Sequence, residues 1–172
     1  NLVLPPLFPF LKADTGLDYV SLAALVAAPA VASGVSQVPF GLLVDRFGGR
    51  VVLLCGITLM GLSFALVGVA TEYWQLLMLM ILVGLGNGVF HPSDYLIMTR
   101  RIADSHLGRA VSLHGFSGYI GWAAAPAVML GLEQLVGWRY AVSITGLLGL
   151  VIVLILLVFG ASLRDRDDVN SP

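Results

Sequence analysis

Residues Tyr19 to Val44 read YVSLAALVAAPAVASGVSQVPFGLLV, an unbroken run without one Asp, Glu, Lys or Arg. A helix needs about 20 predominantly apolar residues to cross the hydrocarbon of a bilayer, and this run exceeds that length. It is bracketed by KADTGLD (Lys12 to Asp18) and DRFGGR (Asp45 to Arg50), short joints that concentrate charge and turn-forming glycine. Moving outward, the same pattern recurs in Val51 to Thr71, Tyr73 to Thr99, Ala110 to Leu132 and Tyr140 to Leu163. Asp94 is the one charged residue inside any of them. Asn1 to Leu11 is apolar but about half the required length, the pattern of a first helix whose beginning is absent. These are continuous apolar runs, not the period-two alternation over about ten residues that a barrel strand requires. The sequence therefore predicts an all-α membrane protein of six spans, 1–11 (partial), 19–44, 51–71, 73–99, 110–132 and 140–163, within a bundle covering 1–163. Residues 164–172 read as the start of a cytoplasmic linker.

Composition agrees with that reading. Of 172 residues, 58% are hydrophobic and 11% charged, with a mean hydropathy of +0.95, whereas an ordinary soluble domain is about 25% charged. A net charge of −1 gives no electrostatic footprint for nucleic acid. The single Cys55 lies in an apolar run and excludes a disulfide framework or thiolate metal cluster. No cofactor or metal is expected.

Orientation follows from the basic residues. With the start of span 1 cytoplasmic, Arg46, Arg50, Arg100, Arg101, Arg109, Arg164 and Arg166 lie inside, and only Lys12 and Arg139 lie outside. That bias satisfies the positive-inside rule, and the opposite orientation inverts it. Tyr73, Trp74, Trp138 and Tyr140 then fall at the outer interface, where aromatic belts form.

Polar side chains separate the spans. Spans 3 and 6 hold no His, Asn, Gln or charge, so they can face lipid at little cost. Gln37 in span 2, Asn87, His91 and Asp94 in span 4 and His114 in span 5 are costly in hydrocarbon and are expected to line a shared interior or wet cavity. Asn87, His91 and Asp94 fall at i, i+4 and i+7, one stripe of a helix. Pro92 removes a backbone donor from that helix and frees the carbonyl near Gly88. A broken polar half-helix at membrane depth is the kind of element that binds a substrate or proton. The other reading of Asp94 is a pairing with Arg100, Arg101 or a helix end, and of His91 a packed residue beside Pro92. In span 5, Gly118, Gly121 and Ala125 make a small-residue face for a close helix neighbour, and Pro126 adds a bend that reads as packing or as a hinge.

The joint Gly41-Leu42-Leu43-Val44-Asp45-Arg46-Phe47-Gly48-Gly49-Arg50 is the most specific signal. In its placement of Gly41, Asp45, Arg46, Gly48 and Arg50 it resembles the signature loop between helices 2 and 3 of the major facilitator superfamily. Leu4 to Phe10 (LPPLFPF), Phe90 to Pro92 (FHP) and Gly108 to Pro126 further resemble the fosmidomycin-resistance-like group of that superfamily. The Arg that many antiporters of the family carry in helix 4 has no counterpart, Met80 standing near its place, and the helix 5 Gly-Pro reads Ala125-Pro126.

The resemblance implies the six-helix N-terminal half of a major-facilitator fold, with its first helix truncated and a C-terminal six-helix half as its missing partner. It implies a secondary active transporter that moves a small solute by alternating access, as efflux and with proton coupling, in a bacterial inner membrane. Asp45 would then latch the cytoplasmic gate, and Gln37, Asn87, His91, Asp94 and His114 would line the substrate or proton cavity. Two other classes stay open: a non-transporting membrane scaffold, and an intramembrane hydrolase built on His91 and His114.

Overall fold

The computed structural model describes residues 3–159, and every element among them is helical. A 3₁₀ turn, Pro5–Leu7, leads into α1 (Phe8–Thr15), followed by α2 (Tyr19–Phe47), α3 (Gly49–Val67), α4 (Tyr73–Gly88), α5 (Phe90–Arg101), α6 (Asp104–Val136) and α7 (Trp138–Phe159). Arg164, Arg166, the stretch 164–172 and the side chain of Arg101 lie outside what is described. α1 continues through the charged Lys12 and Asp14, so its end lies beyond the apolar stretch. α4 and α5 form a single interrupted span. Val89 between them keeps helical angles, and Pro92 offers no N–H to the Gly88 carbonyl. Five spans, counting α4 and α5 as one, have the length and hydropathy to cross a membrane.

Local signals set the helix ends. Asp18 caps α2 by accepting from the Ser21 N–H at 2.8 Å, and Gln75 Oε1 accepts from the N–H groups of Thr71 and Glu72 ahead of α4. Two joints consist of one glycine each. Gly48 (φ 82°) ends α2 and starts α3, and Gly137 (φ 81°) separates α6 from α7. Only glycine takes that backbone readily. Each is followed two residues later by an arginine that reaches across the bundle. Arg50, near the start of α3, donates from Nη2 to the Leu156 carbonyl near the end of α7 at 3.5 Å. Arg139, near the start of α7, donates from Nη1 to the carbonyls of Gly68 and Ala70 just past α3, at 3.3 and 2.6 Å, and pairs through Nη2 with Asp14 at 2.9 Å. These reciprocal links hold α3 and α7 antiparallel. They also bring the end of α1, the end of α3 and the start of α7 to one face of the bundle.

Small residues bring the helices together. Glycine removes the side chain from a contact, so backbones approach and dispersion and backbone contacts replace the hydrophobic drive that lipid does not supply. Gly84 and Gly88 of α4 sit against Pro29 and the Ser33–Ser36 turn of α2, Gly86 sits against Gly56 of α3, and Gly61 sits against Gly146 of α7. The result is an α2–α4–α3–α7 layer, with α5 lying on α2 and α3 and with α6 at the edge, touching α7, α5 and the N-terminal turn. One apolar cluster, including Leu7, Leu11, Leu25, Val67, Val83 and Val142, fills the end of the bundle near Arg139, and a smaller one of Val44, Val52 and Val89 fills the other.

Burial departs from the expected division of the spans. α3 carries no strongly polar residue and leaves Val51, Leu62 and Leu66 exposed on one side, while Gly56 and Gly61 admit α4 and α7 on the other. α6 is largely uncovered despite its polar face, and a methyl added at Gly118 or Gly121 would meet nothing within 4 Å. Among the described residues those glycines pack no helix.

Candidate functional site

Between the two apolar clusters, α2 and α4 present polar groups to each other. Ser33 and Ser36 are buried on α2, three residues apart on one face. Asn87 Nδ2 donates to Ser33 Oγ at 3.0 Å, and Ser36 Oγ donates to the Ser33 carbonyl at 3.1 Å. Asn87 is therefore held toward α2. The two serines were not singled out in the sequence, although their spacing beside Gly34 and Gln37 carries the same one-face signal.

One turn further, Pro92 interrupts the backbone ladder and the polar stripe turns toward α6. Asp94 Oδ2 lies 3.3 Å from His114 Nε2, joining α5 to α6 across the edge of the bundle. The Asp94 side chain is 20% exposed and that of His114 58%, so the imidazole is the group presented to the open space. Ser93, next to Asp94, is fully buried, and its Oγ has no hydrogen-bond partner among the described residues.

Two clefts meet at this pair. The first, of about 600 Å³, runs from Gln37 and Val38 of α2 past His91, Asp94 and Tyr95 to Val111 and His114. The second, of about 610 Å³, is bounded by Asn87, Phe90 and His91 on one side and by His114, Gly118, Tyr119 and Trp122 on the other. Both fall in the size range of small-molecule sites. Gln37, Asn87, His91, Asp94 and His114 thus border two adjoining spaces that share His91, Asp94 and His114. Phe90, Tyr119 and Trp122 add an aromatic wall. Among the described residues no three His, Cys, Asp or Glu side chains converge as metal ligands.

The signature joint lies apart from these clefts. Asp45 and Arg46 are exposed near the end of α2, and Arg46 lies over the Phe47 ring at 5.3 Å. Gly49 is buried, and a methyl there would meet the Ser93 carbonyl and Ile97 of α5 at 3.1 Å. Gly41 faces open space. Pro126 stands within the continuous α6, and Met80 is a buried core residue.

The sequence profile described as Major Facilitator Superfamily matches residues 1–171. The chain belongs to that superfamily. It is 25% identical over 144 residues to the "Probable L-galactonate transporter" of Escherichia coli, covering 84% of this chain and 32% of that protein. It is 31% identical over 150 residues to the "4-hydroxybenzoate transporter PcaK" of Pseudomonas aeruginosa, covering 87% and 33%. A "Multidrug resistance protein B homolog" of Mycobacterium tuberculosis is 28% identical over 127 residues, covering 73% and 23%. The chain spans about a third or less of the length of these relatives. It is an integral multi-pass membrane protein of the major facilitator superfamily, with the all-α architecture of one six-helix half.

Proposed function

We propose that this chain forms the N-terminal half of a proton-coupled secondary transporter that moves a small solute by alternating access against a second six-helix half. The observation that carries it is the Asp94–His114 contact of 3.3 Å beside two clefts, between two stretches long and apolar enough to cross a membrane. Ionisable groups inside a membrane span are costly, and a carboxylate–imidazole pair there is suited to take up and release a proton as the cavity changes sides. Asp45, Arg46 and Arg50 serve as the cytoplasmic gate, with Asp45 exposed where a helix end of the other half can meet it. The uncovered face of α6 around Gly121 fits a surface that the other half covers and rocks against.

Two of the three relatives above carry names of carboxylic acid carriers and one a name of drug resistance. Small organic acids are therefore the favoured solutes. Outward movement and a bacterial inner membrane rest on the resemblance of Phe90 to Pro92 and Gly108 to Pro126 to the fosmidomycin-resistance-like group.

The test is transport by the complete transporter in proteoliposomes with an imposed pH gradient of either sign. Asp94→Asn is expected to abolish gradient-driven accumulation while leaving solute exchange without a gradient. Accumulation by Asp94→Asn that matches the unaltered protein across a pH series overturns the coupling role. The gradient sign that drives movement reports its direction.

A further inference from the structure

We infer that the cleft between α4–α5 and α6 selects a small carboxylic acid bearing an aromatic ring, with Phe90, Tyr119 and Trp122 taking the ring and His91 and His114 taking the carboxylate. The inference rests on the transporter reading above and adds the chemical class of its solute. Three features of the cleft support it. Its volume of about 610 Å³ suits a compact solute. Its walls combine two chemistries, because three aromatic side chains stand around one space with the imidazoles of His91 and His114 and the carboxyl of Asp94. Tyr119 and Trp122 are exposed on α6 at i and i+3, so they stand side by side. Gly115 and Gly118, which also line the space, project no side chain, which leaves room for a flat ring beside them.

The polar groups in this space select the head group. Asn87 already donates to Ser33. Asp94 has His114 against its Oδ2 and is the less exposed of the two, so imidazole rather than carboxylate is what a solute meets first. Nε2 of His114 faces Asp94, so His114 has Nδ1 left to donate to a carboxylate beside the His91 ring, and aromatic faces stack on a ring. A polyhydroxylated acid brings no ring to Phe90, Tyr119 and Trp122 and would leave those faces without a stacking partner. Asp94 also lines this space, but His114 already faces its Oδ2 at 3.3 Å, so an organic cation would have to displace that contact.

The test is binding of radiolabelled benzoate to the complete transporter in lipid nanodiscs, with gluconate, benzylamine and benzyl alcohol as competitors. Benzoate is expected to bind saturably, and none of the three competitors to displace it at equal concentration. Trp122→Leu is expected to weaken benzoate about tenfold, the effect of one lost aromatic pair, and Trp122→Phe to restore most of it. His114→Gln is expected to reduce the preference for benzoate over benzyl alcohol. Displacement of benzoate by gluconate or benzylamine overturns the inference, as does Trp122→Leu binding benzoate like the unaltered protein. Competition on the unaltered protein decides the matter even if a variant fails to fold. Failure of the transporter reading shows separately, as saturable benzoate binding without gradient-driven movement in the proteoliposome assay.

Discussion

α4 and α6 carry comparable runs of glycine, Gly84, Gly86 and Gly88 in one and Gly115, Gly118 and Gly121 in the other, and the molecule uses them in opposite ways. On α4 each glycine is filled by a neighbour: Pro29 backbone at Gly84, Gly56 and Met60 at Gly86, and the Ser33–Ser36 turn at Gly88. On α6 each faces open space. A small residue licenses a close approach but does not supply the partner. The α4 stripe is spent inside this chain, whereas the α6 stripe lies beside the aromatic cleft and is free for a solute or another helix.

The largest expected effect tests the filled side. Gly84→Ala places a methyl on Pro29 backbone, which cannot rotate away, and is expected to destabilise the chain by about 3 kcal/mol. Gly118→Ala meets no neighbour and is expected to leave stability unchanged or raise it by up to about 1 kcal/mol. Reversible unfolding in detergent micelles measures both, and equal losses would erase the contrast between the helices.

Next is Arg139, which ties the end of α3 to the start of α7. Arg139→Ala removes its two carbonyl bonds and its pair with Asp14, and a loss of about 2 kcal/mol is expected, chiefly from the charged bonds to the carbonyls. Arg139 and Asp14 are 34% and 45% exposed, so the ion pair itself adds little. Asp14→Ala should accordingly cost much less than Arg139→Ala, and the reverse order would place the strength in the pair.

A smaller effect sharpens the open side. A double-mutant cycle of Asp94→Asn and His114→Gln is expected to give a coupling of about 1 kcal/mol, within the range for polar pairs inside membranes. Additive single effects would mean that α6 is not tethered to α5 by this contact.

The smallest effect lies outside both stripes. Hydrogen bonds from Ser21 hold the Asp18 carboxyl below its ordinary value of 3.8. A depressed folded value means that the cap stabilises above 3.8 and that this contribution fades as pH falls through the lower folded value. Thermal melts from neutral pH down to about 3 should show a slightly shallower acid loss for Asp18→Asn, which caps without ionising. An identical pH slope would show that the carboxylate charge contributes nothing there.

Much of this was legible in the residues alone. Apolar runs longer than a bilayer crossing could only be spans, and the charged glycine joints could only lie between them, because unpaired backbone and charge are too costly in hydrocarbon. The stripe of Asn87, His91 and Asp94 and the interruption at Pro92 are properties of one helix, so they too followed from spacing. What spacing could not decide was which face meets which neighbour. Ser33 and Ser36 read as ordinary small residues until Asn87 was set against them, and nothing in α3 told which side keeps Val51, Leu62 and Leu66 exposed and which side Gly56 and Gly61 open to α4 and α7. Tyr119 and Trp122 are apolar at their positions and became cleft residues only when α6 was placed opposite α5. Chain-local chemistry determines where a helix runs and what it exposes. Contacts between helices distant in sequence depend on packing geometry, and only the tertiary structure brought Asp94 to His114 and left the glycines of α6 uncovered.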